Sequence, residues 1–361
     1  MHNPRKVKKY AGWGLAGLSL LIGLQIVQTD AGWVEHFYSR GFYAYFSHLP
    51  KMLFAWIPFS VGDLFYIVLL FSVFWIVFLL GKLVWLRKWK HFGIRMIQLI
   101  AISLIIYSYF YVSWGLNYYR EPIAKQLHLD TDTLTLEQHL TVLDHFIETA
   151  NRIRPSLQLD TLDRKQMANE LTLLMKNDLT FAEILSKTNL KVKAPLSSSF
   201  TSSLTVTGYF NPFTHEVHVN QEIPIVTYPF TVLHELAHQM GVGFEDECNF
   251  IAFVKLKSHS NPTYQYAALY EAINYLMRPF YFINKELYQQ YQKKLSPLIQ
   301  QDIREEKLFW QERSGRLNAV STYFYDHYLK HNNQPEGMAR YSLMSRLVIA
   351  HELKDKQNGI K

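Results

Sequence analysis

The sequence predicts a mainly helical α+β protein in which three N-terminal transmembrane helices precede a larger domain outside the membrane. Three observations support this prediction. Hydrophobic residues make up 49% and charged residues 19% of the 361 residues, and the long uncharged stretches all lie in the first third. Apolar residues recur at helical spacing through most of the remaining chain, and one short segment alternates as two paired strands do.

Three apolar stretches are long enough to cross a hydrocarbon layer about 30 Å thick. They occupy about residues 11–27, 64–85 and 97–116, so we assign residues 1–121 to a membrane domain and residues 122–361 to a second domain. A cleaved signal peptide is the alternative for the first stretch, because basic residues precede it. The apolar run is long and no small-residue cleavage site follows it, so we predict an uncleaved anchor in a lipid bilayer.

The distribution of Lys and Arg predicts the orientation of these spans. Basic residues precede the first span and fill the link between the second and third, as Arg5, Lys6, Lys8, Lys9, Arg87, Lys88, Lys90 and Arg95. The link between the first and second spans carries only Arg40 and Lys51. Because short basic loops stay in the cytoplasm, we expect a cytoplasmic N-terminus and a C-terminal domain in the periplasm or at the cell surface.

Charge and cysteine content exclude two classes of protein. The net charge of +7 is partly due to the juxtamembrane clusters, and no basic stripe with interleaved aromatic residues follows, so nucleic-acid binding is not expected. Cys248 is the lone cysteine, which rules out an intramolecular disulfide. The outer domain must therefore be stabilised by its core and by any metal that it binds.

The outer domain is predicted to begin near Pro122 with helices over residues 134–152 and 162–189. Residues 205–220 alternate around an Asn211-Pro212 turn, which indicates a hairpin. That hairpin either packs the core or offers an unpaired edge to an extended peptide, and the sequence leaves both interpretations open. Residues 263–350 are helical by pattern, and Glu271 and Arg278 within them argue against a fourth span.

Two histidines of the hairpin, His215 and His218, are candidate metal ligands by residue type. Three positions apart on a strand, their side chains would point to opposite faces. We therefore interpret them as surface or packing residues.

The motif His234-Glu235-Leu236-Ala237-His238 is the strongest functional signal of the chain. On a helix the two histidines lie about 6 Å apart on one face, so both can reach one metal ion. Glu235 is then beside the ion, where a general base must be to take a proton from a zinc-activated water. A chance match is the alternative in a chain with 15 histidines, but Pro229 at the helix start and Gly241 and Gly243 after its end favour a built site.

A catalytic zinc takes three protein ligands and a water, and two histidines with one glutamate are a standard set. The acidic start of the next predicted helix offers Glu245, seven residues after His238, and Glu247 as its rival. Two positions apart on a helix, the two side chains point to different faces, so only one of them can readily reach the ion. The residues alone leave the choice open.

The two segments resemble the gluzincin group of zinc metallopeptidases, whose second zinc helix carries a glutamate ligand and, four residues later, an Asp or Asn that braces a zinc histidine. Glu245 and Asn249 have this spacing, so the resemblance implies Glu245 as ligand, Asn249 as the brace and Glu247 as an accessory.

A wider resemblance extends over most of the chain. The three spans, residues 114–120, the turn at 208–214, the HExxH motif and residues 245–250 resemble an uncharacterised family of bacterial three-span membrane proteins with zincin-like features. Cys248 departs from that family, which tends to have alanine there. The resemblance implies a zincin-like extracytoplasmic domain and a zinc ion, but no biological role.

These patterns together predict a membrane-anchored zinc metallopeptidase that hydrolyses peptide or protein substrates outside the cytoplasm. His234, His238 and Glu245 would bind Zn²⁺, and Glu235 would act as general base. Residues 323–330 and Tyr341 contain candidates for the group that stabilises the oxyanion, and we favour Tyr341 because it follows a bend at Gly337. A zincin-like protein that binds peptides or signals without cleaving is the alternative.

Overall fold

The computed structural model describes residues 4–357 and 359, apart from the side chains of residues 4–6, 160 and 316. The predicted basic side chains of Arg5 and Lys6 thus lie outside the described residues. Within the described chain the protein is mainly helical with one small sheet of three strands, which confirms the predicted balance of helix and strand.

Three helices are long and apolar enough to cross a membrane, as predicted. They are α1 (Pro4–Val27), α2 (Val61–Trp85) and α3 (Trp89–Ser113). The third ends three residues before the predicted bound, because the chain tightens into a 3₁₀ helix at Gly115–Tyr119. Helix α1 packs along α3, whereas the most apolar part of α2 buries no side chain, as suits a helix that faces lipid.

The link between α1 and α2 forms short helical pieces at Ala31–Trp33, Val34–Phe42, Tyr43–Phe46 and His48–Phe54. Together with the ends of α1 and α3 and the 3₁₀ helix that follows α3, these pieces enclose a small core that includes Val34, Tyr38, Tyr43, Trp114 and Tyr118. This core lies at the end of the spans that faces the rest of the chain. It therefore connects the membrane part, which is the three spans and the linking residues up to 121, to residues 122–357, which are named the outer part below.

The outer part opens with Ile123–Gln126, α4 (Leu136–Ile153) and α5 (Arg164–Lys176). Helix α4 lies close to the predicted bounds, and a capping box on Thr135 starts it. The prediction of one helix over 162–189 is wrong beyond Lys176. There Asp178 accepts hydrogen bonds from the backbone N–H groups of Thr180 and Phe181, and this local bonding replaces further helical turns.

The sheet consists of β1 (Val192–Lys193), β2 (Gly208–Asn211) and β3 (Glu216–Val219) in the order β1-β3-β2. Strand β3 is parallel to β1 and antiparallel to β2, with Gly208 opposite Val219. The predicted hairpin is confirmed. In its turn, the Asn211 side chain accepts hydrogen bonds from two following backbone N–H groups, and His215 takes a positive φ of 56°.

The remaining helices are α6 (Tyr228–Gln239), α7 (Glu245–Lys257), α8 (Pro262–Ile283), α9 (Lys285–Lys294), α10 (Pro297–Arg313), α11 (Arg316–His331) and α12 (Met344–Gln357). A short helix at Ser198–Ser203 precedes β2, and 3₁₀ turns occur at Arg154–Ser156, Leu159–Thr161 and Gly337–Leu343. Helix α6 is buried along its whole length between the sheet and helices α5, α7 and α8. Any group on α6 is therefore held by packing on every side.

Candidate metal centre

The candidate metal site lies where helix α6 ends and helix α7 begins. Pro229 lies in the first turn of α6, where its missing N–H costs nothing, and α6 ends at Gln239. Gly241 follows with a φ of +88°, a conformation that favours glycine and lets the chain reverse direction. Helix α7 then starts at Glu245, so its first carboxylate faces the last turn of α6.

Three ligand atoms converge in this turn. The Nε2 atoms of His234 and His238 are 3.1 Å apart, and Glu245 Oε2 lies 3.1 Å from the first and 3.4 Å from the second. A tetrahedral zinc ion with bonds of about 2.0–2.1 Å separates its ligands by about 3.3 Å. The spacing therefore fits such an ion, and among the side chains that the structure describes no other cluster of three His, Cys, Asp or Glu residues has this geometry.

The far nitrogen of each imidazole is already engaged. His234 Nδ1 lies 2.7 Å from Asn249 Oδ1, and His238 Nδ1 lies 2.8 Å from the carbonyl oxygen of Val242. Both oxygens can only accept, so each neutral ring carries its hydrogen on Nδ1 and leaves Nε2 bare. Three buried electron-pair donors then face one another, an arrangement that a cation or a proton must stabilise. The donor set thus fits a metal ion.

The electrostatics of the group match a site that holds one positive charge, either a proton or a cation. Burial works to raise the pKa of Glu245, but the charges and hydrogen bonds of His238 and His234 hold it well below its ordinary value. Burial works to lower the pKa of His238, but Cys248 and Glu245 raise it well above its ordinary value. The carboxylate is therefore ionised, and metal binding would release the proton that His238 otherwise holds.

Glu235 lies beside the three ligand atoms without joining them. The residue is 4% exposed, and its Oε2 has no hydrogen-bond partner among the described residues. Burial raises the pKa of Glu235 to about 7. A carboxyl with a pKa near neutrality can both take up and release a proton, which is what a general base and acid must do.

The structure brings Glu245, and not Glu247, to the two histidines. Glu247 points away and accepts a hydrogen bond of 2.7 Å from the backbone N–H of Ile123, directly after the exit from the membrane part. Between the two glutamates, Asp246 forms a partly buried ion pair with Arg340. Burial raises the pKa of Glu247. The alternative that the sequence left open is thus decided by a contact 124 residues away along the chain.

Two tyrosines close the side of the site that faces helix α11. The Tyr325 hydroxyl donates a hydrogen bond of 2.9 Å to Glu245 Oε1, the oxygen that does not face the histidines. The ring of Tyr341 stacks on His234 at 6.2 Å, and its hydroxyl lies 3.5 Å from that of Tyr325. Sequence reasoning favoured Tyr341 and named Tyr325 only within a run of candidates. Both reach the site, and the oxyanion role stays a prediction for either.

Sequence reasoning missed a set of residues that fix the end of helix α6. The carbonyl oxygens of His238, Gln239 and Gly241 accept hydrogen bonds from side chains of the membrane part, which are Trp114 Nε1 at 2.9 Å, Tyr43 Oη at 2.8 Å and Arg120 Nη1 at 2.7 Å. The carbonyls at a helix end lack intrahelical partners, and of these three the His238 carbonyl also accepts a hydrogen bond of 3.0 Å from the backbone N–H of Gly241. The exit segment containing Trp114 and Arg120 was visible in the sequence, but its partner was not.

His215 and His218 are both buried, so the expectation of packing residues holds and that of surface residues is wrong. His215 lies in the turn, not on a strand, and its Nε2 is 2.8 Å from Ser113 Oγ. His218 stacks on the ring of Tyr209 at 4.6 Å. Burial lowers the pKa of both imidazoles, so they are neutral packing groups.

Comparison with known proteins gives a family but no function. Residues 38–349 match a family described as "Protein of unknown function (DUF3810)". No curated protein and no solved structure matches the chain.

Proposed function

Since the chain belongs to the DUF3810 family, whose function is unknown, we propose its function from the site itself: a membrane-anchored zinc metallopeptidase. One observation carries the proposal. Three ligand atoms at tetrahedral spacing adjoin the buried side chain of Glu235, whose Oε2 has no hydrogen-bond partner among the described residues. Metal ligands alone would suit a structural site, but a free base beside them suits hydrolysis.

His234, His238 and Glu245 would hold the zinc ion, which supplies a Lewis acid and lowers the pKa of water at the site. Glu235 takes a proton from the attacking water and passes it to the leaving amine. Tyr325 and Tyr341 are the hydroxyl donors that could stabilise the oxyanion of the scissile carbonyl. Asn249 holds the ring of His234 in the tautomer that binds metal.

The substrate we propose is a polypeptide in extended conformation. Strand β2 lies at the edge of the sheet, and its first residue, Gly208, adjoins Glu235. A Cβ atom at Gly208 would lie 2.8 Å from Glu235 Cγ, so glycine is what allows the strand to approach the base this closely. A peptide added to the free edge of β2 would therefore pass the site.

The test uses the full-length chain in detergent or nanodiscs. We expect about one zinc ion per chain, lost in His234→Ala and retained in His351→Ala, a control histidine outside the site. Glu235→Gln should retain zinc, because Glu235 is not a ligand, and lose peptidase activity on a degenerate peptide library. Zinc binding with no cleavage by the native chain would favour the binding protein. Full activity of Glu235→Gln would refute the assignment of the base.

We further propose that the site lies outside the cytoplasm, which rests on the basic clusters that flank the spans. Leu179 is 88% exposed in the outer part, and Lys90 is exposed in the link between α2 and α3. Since Cys248 is buried, a membrane-impermeant maleimide should label Leu179→Cys in intact cells and spare Lys90→Cys. The reverse pattern would invert the topology.

A further inference from the structure

We infer that this protein acts on membrane-anchored polypeptides at a fixed position only a few residues outside the bilayer. The inference rests on the proposed function and adds the substrate class to it. Its basis is strand β2, whose one end touches the catalytic base and whose other end touches a transmembrane helix.

The metal group is held at the end of the spans. Trp114 directly follows Ser113, the last residue of α3, and its Nε1 donates to the carbonyl of His238 at 2.9 Å. The rings of Trp114 and His238 are 5.9 Å apart. A metal ligand thus lies one hydrogen bond from the residue at which the third span ends. Since the third apolar helix ends at Ser113, the metal group lies close to the end of the spans.

Strand β2 joins the metal group to the second span. Gly208 adjoins Glu235, and at the other end of the strand a Cβ atom on Gly62, in the first turn of α2, would lie 2.5 Å from Asn211 Nδ2. Tyr209 also donates to the carboxylate of Asp63 in the same turn of α2. The strand takes three residue steps from Gly208 to Asn211, at about 3.3 Å each. Its end beside Glu235 and its end beside the second span are therefore about 10 Å apart.

The outer edge of β2 is free to pair. The backbone N–H of Asn220 donates to Thr207 at 2.9 Å, and antiparallel bonding alternates from there, so Tyr209 and Asn211 bond to β3. Gly208 and Phe210 then direct their N–H and C=O groups away from β3. From the other elements of the described chain, no hydrogen bond reaches these groups. They offer two donors and two acceptors to an extended chain.

A chain bound along this edge meets the membrane after Asn211. The hairpin turn rests on the span ends, since Ser113 Oγ donates to Pro212 at 2.9 Å and the rings of Phe213 and Phe65 are 4.9 Å apart. Tyr109 in α3 donates to the carbonyl of Phe213 at 3.4 Å. A soluble substrate would have to end or turn back here. A substrate with its own membrane anchor continues straight into the bilayer, so the edge fits an anchored chain best.

The test uses the full-length protein, loaded with zinc and reconstituted in liposomes. Its substrate is an eight-residue segment of degenerate sequence, presented in two forms. One form is a free peptide, and the other is fused directly to a transmembrane helix in the same liposomes. We expect the anchored form to be cleaved about tenfold faster or more, because tethering raises its local concentration at the site. Mass spectrometry should locate the cut about three to six residues from the membrane boundary, given the 10 Å path.

A second reporter carries four added Gly and Ser residues between the helix and the segment. If the edge strand fixes the distance of the cut from the bilayer, the cut should stay the same number of residues from the membrane boundary. It should therefore move four residues along the sequence, toward the transmembrane helix. A cut that stays with the sequence, or equal rates for the free and anchored forms, would overturn the inference while leaving the peptidase intact.

Failure of the proposed function is recognised separately, by cleavage no greater than that of Glu235→Gln on either form. The Glu235→Gln protein then gives an independent readout through benzophenone amino acids placed at each of the first 12 reporter positions outside the helix. Crosslinks to residues 205–215 that peak at the third to sixth positions would support binding of an anchored chain without cleavage. Uniform or absent crosslinks would overturn it.

Discussion

Replacing Arg120 with methionine should destabilise the contact between the spans and helix α6, and so lower the stability of the folded protein. The Arg120 side chain is 1% exposed and lies against a carboxylate that is 2% exposed. Its guanidinium donates to both oxygens of Glu35, at 2.8 and 2.6 Å, and to the carbonyls of Gly241 and Ile184, at 2.7 and 2.8 Å. Methionine keeps most of the volume but donates nothing, so four buried acceptor contacts lose their donor.

The magnitude follows from the kinds of group left behind. Removal of one partner from a buried ion pair costs about 3–5 kcal/mol. Arg40 still donates to Glu35 at 2.8 Å, which favours the lower end of that range. Each unpaired carbonyl adds about 1 kcal/mol. We therefore expect Arg120→Met to lower the free energy of unfolding by about 5 kcal/mol, and the double variant Glu35→Met/Arg120→Met by only about 2 kcal/mol.

Equilibrium unfolding of the full-length chain in mixed micelles, with SDS as denaturant, measures these differences. Arg40→Met is the matched control, because its side chain is 36% exposed and its pair should contribute about 1 kcal/mol or less. The reasoning is refuted if Arg120→Met stays within about 1 kcal/mol of the native chain. It is also refuted if the double variant is less stable than Arg120→Met alone.

The remaining predictions concern pH and the metal group. Burial works to raise the pKa of Glu35, but Arg120 and Arg40 hold this pKa below its ordinary value. The carboxylate therefore stabilises the fold fully above the unfolded pKa of about 4.3. This stabilisation is lost as the pH falls through the lower pKa of the folded state. Glu35→Gln should flatten the acid limb of stability against pH, and an unchanged limb would exclude this group as its source. Glu245→Gln should lower zinc affinity strongly, whereas Glu247→Gln should not; competition with a chromogenic chelator measures both affinities. A larger loss of affinity in Glu247→Gln than in Glu245→Gln would make Glu247 the ligand. Asn249→Ala should weaken zinc binding about 10–100-fold, and Asn249→Asp should restore it because a carboxylate also accepts from the His234 ring; loss in both variants would point to packing instead.

The parts that could be predicted from the sequence are those that local signals determine. The HExxH helix has its own start at Pro229 and its own stop at Gly241, and apolar length alone marks the three spans. The overlong helix at 162–189 failed because the polar side chain of Asp178 competes with the helical backbone, an effect that apolar periodicity does not contain.

Tertiary contacts decide what local signals leave open. Glu245 and Glu247 are both glutamates in the same helical turn, so nothing in the local sequence distinguishes the proposed ligand from its neighbour. The difference arises because the backbone N–H of Ile123 needs an acceptor and Glu247 supplies it. One carboxylate is thereby committed to the chain that leaves the membrane, and the other is free to turn toward the histidines.

The same logic explains why the membrane part belongs to the metal site. A glycine stop shows where helix α6 ends, but not which donors satisfy its last carbonyls. Tyr43, Trp114 and Arg120 supply them, from positions 196, 124 and 121 residues away along the chain. The spacing of the two histidines depends on how the last turn of α6 is held. The sequence suggests a membrane anchor and a separate domain, but in the structure the anchor helps to position the candidate metal ligands. The residues that follow and precede the spans thereby hold the helix end that carries His238.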